Sequence, residues 1–138
     1  MNLNMKPKKA RQHTKKIANL FRALGQASRL RILLAIGEGE ACVCHLEANL
    51  GYRQAYISQQ LMELRKARVV DARRDGRFIY YRLRDPSLLQ LIKETGKIAG
   101  IADIEIDSLA DMGTLSQCCC PNCAVELSNS VIAEKQIS

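Results

Sequence analysis

The strongest structural signals lie in residues 20–83, which read LFRALGQASRLRILLAIGEGEACVCHLEANLGYRQAYISQQLMELRKARVVDARRDGRFIYYRL. Within them Ile57, Leu61 and Leu64 recur at i, i+4 and i+7, the spacing of one apolar helix face. Three earlier stretches rich in apolar residues also predict helices, and Gly25, Gly37 and Gly51 end them. We predict four helices, over residues 13–24, 30–36, 44–50 and 54–67.

The spacing of apolar residues changes from helical to alternating after residue 68. This pattern predicts strands over residues 69–74 and 77–83. Asp75-Gly76 between them predicts a type I′ hairpin turn, which needs positive φ at both central positions. Asp85, Pro86 and Ser87 then begin a fifth helix, because Pro is well suited to the first helical turn. The order predicts a mainly α fold with a small β-hairpin, a winged helix-turn-helix, followed by a Cys-rich carboxyl-terminal tail.

Charge is unevenly distributed along the chain, whose formal net charge is +7. Residues 1–31 carry nine basic side chains and no acidic one, and residues 53–84 carry nine basic against three acidic. Residues 85–138 are acidic on balance. Two basic blocks of this kind are typical of a surface that binds a polyanion, although a solvated tail and an ordinary basic face give the same pattern.

The composition argues against several classes of protein. The chain has no Trp and only 4% aromatic residues, which argues against a large ligand pocket walled by rings. Its longest clean apolar run, Ile32–Ile36, is far shorter than the roughly 18 residues of a membrane span. The amino-terminal MNLNMKPKKARQ is polar and basic, without the apolar region of a secretion signal. We therefore expect a cytoplasmic protein with no membrane partner.

The predicted fourth helix has side chains suited to recognising double-stranded DNA. A helix that projects from the body can place Gln, Ser and Arg against base edges in the major groove. The candidates near its start are Arg53, Gln54, Tyr56, Ser58, Gln59 and Gln60. Arg73, Arg74 and Arg77 flank the hairpin tip, where they can reach a phosphate or the minor groove. The alternative is that these polar residues only solvate the helix and the hairpin.

The six cysteines form two clusters, which favours metal or redox chemistry over structural disulfides in a cytosolic chain. The first cluster is Cys42 and Cys44, and the second is Cys118, Cys119, Cys120 and Cys123. On a helix, the i, i+2 spacing of the first pair would separate the thiols by about 200°. Cys42 and Cys44 can therefore converge on one ion only if this segment is extended or the helix end unwinds. The alternative is that Cys42 and Cys44 are inert thiols with no metal or redox role.

Residues 20–83 resemble the ArsR/SmtB family of metal-responsive winged helix-turn-helix repressors. The motifs that carry the resemblance are SRLRIL, ACVCHL, ISQQLMELRKA and DGRFIYYRL, in that order. The resemblance implies a homodimer on a palindromic operator, with recognition helices about one DNA turn apart, roughly 34–36 Å. The residues expected in the dimer interface are Ile17, Leu20, Phe21, Leu88, Leu91, Ile92 and Ile98. The alternative for these residues is a purely intramolecular core.

We divide the chain into a basic amino-terminal arm (1–12), a winged helix-turn-helix and dimerisation domain (13–101) and an acidic, Cys-rich tail (102–138).

The sequence departs from the family pattern at two places, which change the predicted cap of one helix and the set of potential ligands. Gln26-Ala27 stands where the family has Asp-Pro, so we expect Ser28 to cap the second helix. His45 replaces an acidic residue and adds a potential nitrogen ligand, although we expect it to serve packing or solvation.

Within the family, the CVC pair is the core of a thiolate site for As(III), Sb(III), Cd(II) or Pb(II), soft ions that prefer thiolates. Residues 1–41 contain no Cys, so the resemblance implies that further ligands come from the tail cysteines, within a protomer or across the dimer. Cys120 and Cys123 form a CxxC knuckle, which makes zinc a further candidate. We expect no zinc site on the last helix, because residues 86–101 contain no His and only Glu94.

The leading hypothesis is a non-enzymatic repressor that binds its operator without ion and releases it on binding a thiophilic ion. As(III) or Sb(III) is the first expectation for the inducer, and Cd(II) or Pb(II) the next. A second hypothesis keeps the DNA binding and makes the cysteines a redox or persulfide switch. A third, a small thiol oxidoreductase using CPNC, lacks the βαβ context of such enzymes.

Overall fold

Residues 5–109 are the part of the chain that the computed structural model describes, and they form six helices and three strands. In chain order these are α1 (Pro7–Leu24), α2 (Ala27–Ile36), β1 (Glu40–Cys42), α3 (Val43–Leu50), α4 (Gln54–Lys66), β2 (Val70–Asp75), β3 (Phe78–Leu83), α5 (Ser87–Ile98) and α6 (Asp103–Ser108). The predicted winged helix-turn-helix is confirmed. The four tail cysteines lie outside the described residues.

The first two helices begin earlier than the apolar pattern predicted. Helix α1 begins at Pro7 rather than at residue 13, because Pro in the first turn favours helix formation and no breaker follows before Gly25. Helix α2 begins at Ala27 rather than at residue 30, and Gln26 is its cap residue. The expectation that Ser28 caps α2 is therefore wrong. The Ser28 hydroxyl instead accepts a 2.8 Å hydrogen bond from Tyr56.

The sheet contains one strand more than predicted. Strand β1, with three residues, is too short for an alternating pattern, and it pairs antiparallel with β3 to give the order β1-β3-β2. Asp75 pairs with Phe78, so the hairpin turn is centred on Gly76-Arg77 rather than on Asp75-Gly76. Among the turn residues only Gly76 has positive φ, which matches a type II′ turn and corrects the predicted type I′.

The core lies between the helices and the inner face of the sheet. Its fully buried side chains include Ile32, Leu33, Leu46, Ile57, Leu61 and Leu64 of α2, α3 and α4, together with Val70 of β2. Helix α3 ends at Gly51 as predicted, where the backbone is left-handed (φ 71°) and the Gly51 amide donates to the carbonyl of Glu47. The short turn that follows allows α4 to pack across α3 with Ile57 and Leu61 facing inward.

Helix α6 lies within the segment assigned to the tail, yet it packs on α5. Ile106 of α6 is buried over Gly96, where any Cβ would overlap the Ile106 side chain. Lys93 and Lys97 of α5 pair with Asp107 (3.2 Å) and Asp103 (3.8 Å) of α6. The core structure thus extends to residue 108. Within residues 5–109, no helix combines the length and the apolar character needed to cross a membrane.

Candidate nucleic-acid interface and thiol pair

Helix α4 separates an apolar inner face from a polar outer face near its amino terminus. Ile57 is fully buried, whereas Gln54 and Gln59 are exposed and Ser58 is half-buried. Arg53 is the cap residue of α4 and is also exposed. The structure therefore presents four of the six candidate side chains of this helix as a polar surface that can enter a groove.

Gln60 does not belong to this outer surface, which corrects the prediction that it reads bases. Its side chain is only 8% exposed, and its Oε1 accepts a 2.8 Å hydrogen bond from Nε of Arg29 in α2. Arg29 also donates to the carbonyl oxygen of Ala23 at 3.0 Å. The i+3 step from Ile57 turns Gln60 toward α2, so its amide joins α4 to the body.

Tyr56 is exposed but is also bonded to the body of the domain. Its hydroxyl donates to Ser28, and its ring meets Tyr52 edge-on, with the ring centroids 5.5 Å apart. Arg31 donates to the Tyr52 hydroxyl at 3.0 Å and lies over the Tyr52 ring. These contacts hold the start of α4 against α2, so the outer surface of α4 is rigidly placed.

The three candidate arginines of the wing, the hairpin formed by β2 and β3, are all exposed. Arg74 donates to the carbonyl of Gly76 at 3.3 Å, and Arg77 lies over the ring of Phe78. Arg73 is different, because its guanidinium forms a 3.0 Å ion pair with Glu40 of β1 and lies over the ring of Tyr80. The hydrogen bond to Glu40 raises the pKa of Arg73 above its usual value and so favours the charged guanidinium.

Cys42 and Cys44 meet at the junction of the sheet and α3. Cys42 is the last residue of β1 and the cap of α3, with extended backbone angles (φ −86°, ψ 166°). Cys44 lies in the first turn of α3. Their Sγ atoms are 2.9 Å apart, and the Cys42 Sγ accepts a hydrogen bond from the His45 amide at 3.4 Å. The extended backbone of Cys42 meets one of the two conditions that we gave for the thiols to converge on one ion.

The thiol pair faces aromatic side chains of the wing. Cys42 is 2% exposed and forms a buried cluster with Tyr80, and Cys44 and Phe78 pack against it. His45 is half-buried. Within residues 5–109, no group of three or more His, Cys, Asp or Glu side chains is arranged to hold a metal ion. Cys42 and Cys44 therefore bring together two soft donor atoms, fewer than a complete metal site needs.

The predicted dimer residues divide into an exposed set and a buried set. Ile17 and Phe21 of α1 are more than half exposed, Leu20 is about one-third exposed, and Ile98 of α5 is 88% exposed. Leu91 and Ile92 are half-buried beside an apolar groove of about 440 Å³ between α1, α2, α5 and α6. Leu88 is only 9% exposed and packs in the core of its own protomer, so little of its side chain is available to an interface.

Comparison with known proteins identifies relatives with the same architecture. The family described as "Bacterial regulatory protein, arsR family" matches residues 27–72. A transcriptional repressor SmtB homolog from Synechocystis is 41% identical over 78 residues, covering 56% of this chain and 59% of the relative. The chain thus covers less than two thirds of that protein.

The arsenic resistance transcriptional regulator ArsR1 of Pseudomonas putida is 35% identical over 106 residues, covering 71% of this chain and 80% of the relative. The homodimeric winged helix-turn-helix DNA-binding domain Mb0332 of Mycobacterium bovis superposes with a TM-score of 0.61 at 27% identity, covering 70% of this chain and 89% of that domain. The chain therefore belongs to the ArsR family of winged helix-turn-helix transcriptional regulators.

Proposed function

We propose that this protein is a cytoplasmic, dimeric repressor that binds operator DNA without ion and releases it when a thiophilic ion binds Cys42, Cys44 and tail cysteines. As(III) or Sb(III) is the first candidate for the ion, and Cd(II) or Pb(II) the next. The observation that carries the proposal is the convergence of the two Sγ atoms to 2.9 Å. A reducing compartment keeps such thiols available.

The chemistry of this pair favours soft ions. Thiolates bind soft ions in preference to hard ones, and As(III) typically takes about three of them whereas Cd(II) takes about four. Two ligands come from Cys42 and Cys44, and we propose that one or two of Cys118, Cys119, Cys120 and Cys123 complete the set. Zinc is a further candidate through the CxxC knuckle of the tail. The name of the Pseudomonas putida relative, an arsenic resistance regulator, favours As(III).

An operator-binding titration tests the proposal. The probe is a duplex selected from a randomised pool by the wild-type protein, and arsenite, antimonite, Cd(II), Pb(II) and Zn(II) are added in turn at fixed salt. Release of the duplex by at least one soft ion supports the proposal. Retention in the presence of all five would overturn ion sensing while leaving the DNA-binding assignment in place.

A redox or persulfide switch is the second candidate, and the short distance between the two Sγ atoms favours it. Release of DNA by a mild oxidant or sulfide, without release by any ion, would select it. The oxidoreductase hypothesis has little support, since the sheet described over residues 5–109 is antiparallel and contains no βαβ unit.

We propose that α4 reads the operator with Arg53, Gln54, Tyr56, Ser58 and Gln59, while Arg73, Arg74 and Arg77 of the wing contact its backbone or minor groove. The basic arm (1–12), whose residues 7–12 belong to α1, adds phosphate contacts. We also propose the division into a DNA-binding and dimerisation domain (13–101) and a Cys-rich tail (102–138). Helix α6 belongs to the tail in this division but packs on the domain.

Neighbouring glutamines of α4 should respond differently to truncation. Gln59→Ala should weaken operator binding by about 1–3 kcal/mol, the value of a good base contact, and change the free energy of unfolding by less than about 0.5 kcal/mol. Gln60→Ala should reduce stability by about 1–3 kcal/mol, because Arg29 loses its buried acceptor. Operator titration and urea unfolding measure the two effects. A larger stability loss for Gln59→Ala would contradict the assignment.

The exposed face of α1 and α5 should form the dimer interface. Phe21→Glu places a charge in that face and should convert the dimer to monomers with much weaker operator binding. Met62→Glu is the matched control, because both side chains are 54% exposed and Met62 lies on α4 away from this face. Sedimentation velocity measures the outcome. A Phe21→Glu protein that stays dimeric would rule out this interface.

A further inference from the structure

One row of paired residues crosses all three strands of the sheet. Cys42 of β1 is the register partner of Tyr80 in β3, and Tyr80 is the register partner of Arg73 in β2. Residues directly opposite each other in antiparallel strands have side chains on the same face. The strand order β1-β3-β2 therefore places Tyr80 between a proposed ion ligand and a proposed DNA contact.

Tyr80 packs against both of its neighbours in this row. The Tyr80 side chain is 1% exposed and is buried together with Cys42. On its other side, the Arg73 guanidinium carbon lies 4.9 Å from the ring centroid. Arg73 is also bound to β1, because its Nε and Nη2 both lie 3.0 Å from Oε2 of Glu40, two residues before Cys42. Arg73 therefore makes two polar contacts with β1, the strand that ends at Cys42.

Binding of a tetrahedrally coordinated ion such as Zn(II) requires the thiols to move apart. Two thiolates bound tetrahedrally to Zn(II) at about 2.3 Å are roughly 3.8 Å from each other. The Sγ atoms of Cys42 and Cys44 lie closer together than this, so binding of such an ion moves them apart. Because the interior around Cys42 is tightly packed, a movement of its sulfur displaces neighbouring atoms rather than filling empty space.

We propose that occupation of the Cys42 and Cys44 site is transmitted to the wing through Tyr80 and the Glu40–Arg73 ion pair. This inference rests on the proposed ion-responsive function and identifies how it is regulated. Spreading of the thiols shifts the Tyr80 ring and the end of β1, and the Arg73 guanidinium, held by both, leaves its ion-free position. Arg73 is a positioning element in this step, since it does not touch the ion. The wing then no longer matches the DNA backbone.

The inference differs from transmission through α3 alone. Helix α3 begins at the thiol pair and packs on α4, so ion binding can also reach the recognition helix directly. Transmission through α3 alone predicts that Arg73 is insensitive to the ion and that Glu40 has no part in the response. Transmission through the wing predicts a response at both residues.

The first test follows the Arg73 Nε–Hε resonance of the full-length dimer by NMR while Cd(II) alone is added. Thiolate-to-metal absorption in the same sample reports that Cd(II) has bound. We expect the Arg73 resonance, assigned by its loss in Arg73→Lys, to shift in the wild type and not in Cys42→Ser. The Arg22 side chain, which bonds Asn19 on α1, is the internal control. Bound Cd(II) with an unmoved Arg73 resonance overturns the inference.

The second test measures the coupling factor, the ratio of operator dissociation constants with and without Cd(II). Using a ratio removes any effect of a variant on ion-free binding. Glu40→Gln should lower the factor about fivefold or more from a wild-type value in the typical range of roughly 5–150. Glu38→Gln, which removes the same charge from the exposed loop before β1, should keep the wild-type factor.

The outcomes separate the two proposals. An unchanged coupling factor in Glu40→Gln overturns transmission through the wing and leaves the ion-responsive function intact. An Arg73 shift without release of DNA from the wild type supports the structural link and overturns the proposed function. A wild type that neither binds Cd(II) nor responds to it overturns both.

Discussion

Cys42→Ser should remain bound to its operator at ion concentrations that release the wild-type protein. Serine preserves the size of the side chain and removes the thiolate, so the site loses one of its two described soft ligands. The effect of the ion on operator affinity should fall from roughly 5–150-fold in the wild type to less than about twofold. Operator titration with and without the most effective ion measures the change.

A second measurement separates lost binding from lost coupling. An ion that binds only the folded state raises its stability, by about 2.7 kcal/mol at 100 times its dissociation constant. The wild type should gain this stabilisation, and Cys42→Ser should not. Val43→Ala is the matched control, since it truncates the residue between the two cysteines and keeps both thiols. Release of DNA from Cys42→Ser at the wild-type ion concentration would show that the pair is not the sensor.

Ile57→Ala should produce a large loss of stability, as expected for a fully buried position of α4. Ile57 is fully buried on the inner face of α4, and truncating such a side chain costs about 2–5 kcal/mol from lost burial and the cavity that remains. The total stability of a domain is only about 5–15 kcal/mol. We expect the urea midpoint to fall markedly and operator binding to be lost as the folded fraction declines.

Met62→Ala is the control for this substitution. Met62 lies on the same helix with its side chain 54% exposed, so its truncation should change stability by less than about 0.5 kcal/mol. Both variants are compared at one protein concentration, because the stability of a dimer depends on concentration. Equal losses for the two variants would show that α4 is not packed as described.

Several features of this protein were predictable because they depend on neighbours along the chain. The spacing of Ile57, Leu61 and Leu64 predicted both α4 and its buried face. Gly51 predicted the end of α3, since a left-handed backbone is needed there and glycine adopts it without steric cost. The i, i+2 spacing of Cys42 and Cys44 predicted that they could meet only if part of the segment left regular helix, and Cys42 has an extended backbone just before α3.

Other features depended on partners far away in the sequence. Gln60 follows Gln59 and has the same side chain, yet only Gln60 faces Arg29, 31 residues earlier. Leu88 has the same apolar character as Ile98, but it packs in the core whereas Ile98 is exposed. The three residues of β1 carry no pattern of their own and form a strand because β3 offers a free edge.

The sequence by itself therefore determined the order of α1 to α5 and the hairpin, the winged helix-turn-helix class, the polar face of α4 and the spacing of the thiol pair, all of which follow from local spacing and backbone preference. Only the tertiary structure decided which polar residues face solvent, where the hairpin turns and what lies beside the thiols. It placed Tyr80 between Cys42 and Arg73, although these residues are far apart in sequence. Strand register is set by packing of the whole sheet, and no local pattern specifies which residues will be opposite each other.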